Sequence, residues 1–192
     1  MYDFFHDAGF FAYPLLLCSV LSTFIIVERL ISLRRSKVIP TALSDRLIAG
    51  EVPEEGDLRS VAGRIVAFYH DPQSDVDQLK AFARLQITRM ERGLFILEIV
   101  VSAAPLIGLL GTVTGLVGVF DQISPETGMP EMGAFREGVA LALTTTMMGL
   151  AIAIPSLAFN SYLGRRIESF EAQLEVGIER LITAKKKSRG LS

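Results

Sequence analysis

Three scarcities bound what this 192-residue chain can be. Cys18 is its one cysteine, so no intrachain disulfide can form. Its two histidines, His6 and His70, build no Cys/His cluster of metal-ligand spacing, and neither a metal nor a cofactor is expected. The formal net charge of −2 averages over compartments and says nothing about nucleic acid, and no basic patch interleaved with aromatics marks a surface for it. The third scarcity is local. Asp, Glu, Lys and Arg make up 21% of the chain, yet none occurs in residues 8–27, 99–120 or 138–164, gaps of 20, 22 and 27 residues.

What fills the gaps is apolar. Half of the chain is hydrophobic and the mean hydropathy is +0.42, which excludes a disordered protein. A helix rises about 1.5 Å per residue, so each gap can cross a hydrocarbon core roughly 30 Å thick, and the third is long enough to tilt or protrude. The pattern predicts an all-α membrane protein with three transmembrane helices, TM1, TM2 and TM3.

The flanks set the threading. Residues 1–8 carry Asp3 and Asp7 but no Lys or Arg, whereas Glu28, Arg29, Arg34, Arg35 and Lys37 follow the first gap. A secretory signal has a basic start, a shorter apolar run and a small-residue cleavage site; Ser32-Leu33-Arg34-Arg35 offers none, so TM1 reads as a retained anchor. Lys and Arg number ten in residues 33–98 and seven in 165–192, against Arg136 alone between TM2 and TM3. Cytoplasmic segments hold the positive excess, which places the N-terminus and the loop 121–137 outside and the C-terminus inside. The chain then divides into an outer tail with TM1 (1–32), a cytoplasmic helical segment (33–98), TM2 with a short acidic periplasmic loop and TM3 (99–164), and a cytoplasmic amphipathic helix with a basic tail (165–192). Asp121, Glu126, Glu131 and Glu137 against Arg136 give the loop a formal charge of −3, an acidic mouth if several copies surrounded a pore. His6 and His70 fall on opposite sides, so no His-centred catalytic pair forms and no enzyme is expected. His70, beside Asp71-Pro72, reads as a solvated turn residue. Glu28-Arg29 reads as a snorkelling or paired anchor, or as an ion pair between copies.

Within 33–98, Pro40, Gly50, Pro53, Gly56 and Pro72 punctuate short amphipathic pieces, one of them over residues 58–69, and leave no room for a large separate domain. From Asp75 onward Val76, Leu79, Ala83, Gln86, Met90, Gly93 and Leu97 share one helical face with no breaker before TM2, which predicts that TM2 is the upper half of one long helix. TM3 continues likewise through Ile167, Phe170, Leu174, Ile178, Leu181 and Ile182, a stripe that packs on a neighbouring helix. Lys185-Lys186-Lys187 closes it as an orientation signal or an attraction to anionic lipid.

Inside the spans, small and polar residues stand out. TM2 holds Gly108, Gly111, Gly115 and Gly118; small residues three or four apart let another helix approach closely. Pro105 in TM2 and Pro155 in TM3 each remove a backbone donor. TM3 carries Thr144-Thr145-Thr146 and Gly149. Successive helical residues point about 100° apart, so at most one or two of those hydroxyls can line a pathway, and any one can simply bond the carbonyl a turn back. Thr112 and Thr146 lie at comparable depths. Neither TM2 nor TM3 has a charged residue, whereas a carrier that moves protons alone needs an ionisable group in the membrane. Ions passing here would need a titrating carboxylate from another subunit.

Three stretches carry a resemblance: Pro14-Leu15-Leu16-Leu17-Cys18-Ser19-Val20 leading to Glu28-Arg29-Leu30, then Ala104-Pro105-Leu106-Ile107-Gly108-Leu109-Leu110-Gly111-Thr112-Val113, then Thr145-Thr146-Met147-Met148-Gly149-Leu150-Ala151-Ile152-Ala153-Ile154-Pro155. In these the chain resembles the MotA/TolQ/ExbB proton-channel family, most closely its three-span ExbB/TolQ branch, across all spans in the same order. The resemblance implies a homopentameric ring in the bacterial inner membrane around a partner of the ExbD/TolR type, whose single span carries the titrating aspartate. It implies that proton motive force is converted to mechanical work on a periplasmic or outer-membrane system, with a TonB/TolA-like protein as a further partner. By position Thr112 and Thr146, with Thr145 adjacent, match the family's ion-pathway threonines. Gly108, Gly111, Gly115 and Gly149 would pack helices while Pro105 and Pro155 shape the ring. Close members carry a glutamate early in the third span where this chain has Leu141; the nearest acid is Glu137, one turn outward. Adjacent Thr145 and Thr146 also resemble sodium-driven members. A passive membrane scaffold, with glycines and threonines serving packing alone, is the competing class.

Overall fold

The computed structural model describes residues 9–49, 51–53, 56–124 and 128–188. Asp3, His6 and Asp7 of the N-terminal tail, Gly50 and Glu126 lie outside the described residues. The protein is all-α. A 3-10 turn at Gly9–Phe11 leads into α1 (Ala12–Ser32), followed by α2 (Arg35–Val38), α3 (Thr41–Ile48), α4 (Val61–Tyr69), α5 (Val76–Glu91), α6 (Leu94–Asp121) and α7 (Met132–Ser188). The 3-10 turn and α1 hold residues 9–27 of the first charge-free gap, α6 and α7 hold the second and third, and these helices carry three stretches long and apolar enough to cross a membrane. At 57 residues α7 measures about 85 Å, far more than a bilayer requires.

Two compact units form. The first takes α1 as far as Val27 together with Leu94–Ser161. Its core is thin: Leu15, Ala104 and Ala153 meet at the centre, with Cys18, Ile107, Met148 and Ile152 against them. Large side chains point outward instead, among them Leu17, Phe24, Leu106, Leu109, Leu143 and Ile154, each more than half exposed. Only 22% of the most apolar window of α1 and 28% of that of α7 is buried. A water-soluble fold exposing so much contiguous apolar surface would aggregate, while a bilayer accepts it without cost. The α6–α7 turn is closed by the Ser124 amide donating to the Met129 carbonyl (3.0 Å) and by Gly128 at φ +65°.

The second unit takes Glu28–Gly93 and α7 from Tyr162. It is built like a soluble domain. Leu33, Val38, Ile65, Val66 and Leu79 are buried with Leu163, Ile167, Phe170, Leu174, Leu181 and Ile182 of α7, and the Phe68 and Phe82 rings stack at 4.4 Å. Helix starts are chemically marked. The Ser60 hydroxyl accepts the Gly63 amide (3.0 Å) at the start of α4, and Asp75 and Gln78 form a reciprocal capping box on α5, devices that stabilise by about 1 kcal/mol each. His70 is exposed at the end of α4, its Nε2 2.7 Å from the Pro53 carbonyl oxygen.

Two expectations are corrected here. The stripe from Val76 to Leu97 does not form one helix: α5 ends at Glu91, Arg92 turns to ψ 136°, and Gly93 takes φ +88°. Periodicity counts a glycine as a small apolar residue, while its freedom at positive φ makes it a terminator. The triple lysine is not uniformly a flank either. Lys185 is buried, its Nζ donating to the Tyr69 carbonyl (2.8 Å) and to the Ser74 hydroxyl, whereas Lys186 and Lys187 are exposed.

Candidate functional site

With no charge over 99–120 and 138–164, the polar groups that α6 and α7 can offer each other are uncharged side chains and backbone, and they meet through small residues. They do so in register. Buried Ala104, Gly108, Gly111 and Gly115 on α6 are spaced four, three and four apart, and Gly149, Thr145, Ala142 and Gly138 on α7 run antiparallel at matching helical intervals. A methyl added at Gly108 would stand 2.8 Å from the Thr145 carbonyl oxygen, one at Gly115 2.5 Å from that of Gly138, and one at Gly149 2.5 Å from that of Ala104. At Gly111 it would collide with the Thr145 side chain. Three of these four obstacles are helix backbone, which cannot step aside. The close approach therefore depends on the absence of side chains and is held by dispersion between nearly touching backbones.

The hydroxyls sit on and beside this contact. Thr145 is fully buried, its Oγ1 within donating distance of the carbonyls of Leu141 (2.8 Å), Ala142 (3.2 Å) and Gly108 (3.3 Å). Thr146 is partly exposed and reaches the same Gly108 carbonyl at 3.3 Å. Regular helical pairing gives that carbonyl to the Thr112 amide one turn on, so Thr112 and Thr146 are both tied to Gly108. Thr112 is also partly exposed, its hydroxyl donating to the Leu109 carbonyl at 2.6 Å. Thr144 is buried at 8% exposure. Of the adjacent threonines, Thr145 thus faces inward and Thr146 lies at the rim.

Pro105 and Pro155 lie inside α6 and α7, so the carbonyls of Val101 and Ala151 lose their usual amide partners. Glu137 and Leu141 line one cavity of about 410 Å³ with Thr114, Gly118 and Gln122, which puts the exposed acid beside the position where a glutamate was expected. Glu28 Oε2 lies 2.9 Å from Arg29 Nε within the chain. Gly138 and Ala142 were not singled out from sequence. Their signal was the run Gly138, Ala142, Thr145, Gly149, spaced three or four apart like Ala104, Gly108, Gly111, Gly115.

The chain is similar to several known proteins. The Vibrio cholerae serotype O1 biopolymer transport protein exbB1 is 26% identical over 183 residues, covering 87% of this chain and 80% of the relative. A Synechocystis putative biopolymer transport protein ExbB-like 1 is 30% identical over 170 residues, covering 81% of this chain and 67% of the relative. The Helicobacter pylori J99 biopolymer transport protein ExbB reaches 41% over 101 residues, covering 51% of this chain and 66% of the relative. The sequence pattern of the MotA/TolQ/ExbB proton channel family matches residues 57–176, well over half of the chain. That region holds the whole α6–α7 contact, and this multi-pass membrane protein belongs to the MotA/TolQ/ExbB proton channel family.

Proposed function

We propose that the chain is the ring-forming subunit of an ion-driven energy transducer of the ExbB/TolQ type, in the bacterial inner membrane with its N-terminus outside and its C-terminus inside. Five copies surround a single-span partner of the ExbD/TolR type, and the partner's aspartate takes up and releases the proton. The work passes to a periplasmic or outer-membrane system through a TonB/TolA-like protein. The observation that carries this reading is the pair of partly exposed hydroxyls, Thr112 and Thr146, beside a helix contact that contains no ionisable group. Proton transfer inside a membrane needs such a group, so it must come from another chain.

A hydroxyl suits that visitor. It donates to a carboxylate and accepts from the neutral acid, and so meets the aspartate in both states. A fixed cation would favour one state and trap the charge. Thr145, behind the rim, holds α6 and α7 together. In this reading the chain is a transport component, not an enzyme.

Replacing Thr146→Ala or Thr112→Val abolishes coupled work while the ring still inserts and assembles, measured as energised transport beside native-state size. Normal work in both variants removes the pathway assignment. A neighbouring reading frame is also expected to encode a short start, one span with an aspartate and a periplasmic domain, and co-purification of its product checks this. A passive scaffold is the second reading, favoured by the Thr145 hydroxyl lying wholly inside the contact; under it hydroxyl losses are silent and only bulky replacements do harm. Work that persists under a pH gradient in sodium-free buffer separates proton from sodium drive.

A further inference from the structure

The second unit contains a cationic cavity that the ion pathway does not use. It measures about 190 Å³ and is lined by Arg29, Lys37, Arg59, Arg64 and Arg89 together with Gln86. Among the described residues no carboxylate lines it. Glu28 lies beside Arg29, and the Arg29 Nη1 reaches the Met90 carbonyl at 3.3 Å, which fixes that guanidinium at the wall. Among the described residues, the Arg64 Nε is buried without a hydrogen-bond acceptor. The Arg29 Nε is buried too, and although Glu28 Oε2 stands 2.9 Å away, the N–H is not aimed at it. Gln86 is 1% exposed, and its side-chain carbonyl has no donor among the described residues.

Two buried N–H groups without an aligned acceptor are costly unless a ligand oxygen meets them, and the exposed cations Lys37, Arg59 and Arg89 around the same small space favour an anion as that ligand. The volume admits a single phosphate and not a nucleotide. Arginine forks suit phosphate oxygens, and an O–H on the same ligand satisfies the Gln86 carbonyl. Arg29 and the adjoining Leu33 sit at the end of the apolar run of α1, the depth of lipid headgroups. We propose that this cavity binds a phosphate group that also bears a hydroxyl, supplied by an anionic phospholipid headgroup or by free phosphate.

The test uses the full-length chain purified in detergent, with dioleoylphosphatidylglycerol, dioleoylphosphatidylcholine or inorganic phosphate as the probe. Native mass spectrometry counts bound lipid, and titration calorimetry follows phosphate. The double variant Arg59→Gln/Arg89→Gln removes two exposed cations, leaving the fold intact. At about five-fold per cation it weakens binding about 25-fold. The double variant Lys80→Gln/Arg84→Gln removes equal charge from residues that line a different cavity, and changes binding less than two-fold. Retention of phosphatidylglycerol over phosphatidylcholine supports the proposal with lipid as the source; tight inorganic phosphate without lipid preference supports it with a soluble source. Equal losses in both double variants, or no probe bound by the unaltered chain, overturns it.

Discussion

Along its length α7 buries itself by two opposite means. Between Gly138 and Gly149 it presents small residues, and α6 comes close enough for a single methyl to collide with backbone. From Leu163 to Ile182 it presents Leu163, Ile167, Phe170, Leu174, Leu181 and Ile182, whose bulk fills the core of the second unit. The difference follows from the solvent each stretch meets. In water, removing apolar area is itself the driving force, at about 25 cal/mol per Å², so large side chains hold best. In lipid that force vanishes, since the hydrocarbon outside is as apolar as leucine, and only closer contact than lipid can make holds helices together. One helix therefore reads as two sequences with different rules.

The largest effect that tests this contrast is Gly111→Leu. The added side chain meets Thr145, and α6 cannot withdraw without opening the neighbouring Gly108 and Gly115 contacts. The expected outcome is complete loss of assembled protein on size-exclusion chromatography, and normal assembly would show that the contact is looser than this register. The converse change is Leu174→Ala, a truncation in the second unit. It costs about 3 kcal/mol and lowers the unfolding midpoint, with the apolar helices still inserted. If the two substitutions did equal harm, the two packing rules would not be distinct.

A smaller effect separates neighbouring lysines. Lys185→Met keeps the stem and deletes the donor to the Tyr69 carbonyl and the Ser74 hydroxyl, and is expected to cost about 1 to 2 kcal/mol. Lys187→Met, at an exposed position, stays within about 0.5 kcal/mol of the unaltered chain. Chemical denaturation of both variants in the same detergent decides it. Equal values would return Lys185 to the flank.

Much of this was readable beforehand, for definite reasons. Charge is costly in hydrocarbon, so three charge-free gaps long enough to span it locate three helices. The glycines of α6 were readable because a small-residue stripe has a use in lipid that a lipid-facing helix lacks. Their α7 counterparts were hidden because Gly138 and Ala142 are separated by ordinary apolar residues and look like filler. Thr145 and Thr146 are adjacent letters, and which one turns inward depends on the rotation of α7 about its axis, set by contacts with α6. Lys185 was hidden by its company, although it follows Leu181 by one turn and Ile182 by three residues and so continues the buried stripe. Function at the level of the transducer came from resemblance; the geometry adds which hydroxyls lie at the rim.

The last prediction concerns the break at Gly93. The hydrophobic stripe runs across it without a fault, so periodicity and backbone disagree about a single residue. At φ +88° an alanine is strained, and Gly93→Ala costs about 1 kcal/mol if α5 and α6 are separate helices. Were they one continuous helix in the membrane, the same substitution would replace a poor helix former with the best one and stabilise by about as much. The sign alone distinguishes the cases, so thermal unfolding followed by helical circular dichroism suffices. The boundary between the two units falls at this residue as well. A loss of stability in Gly93→Ala therefore places the change from one packing rule to the other at a chain turn, in contrast to α7, where the same change happens inside an unbroken helix.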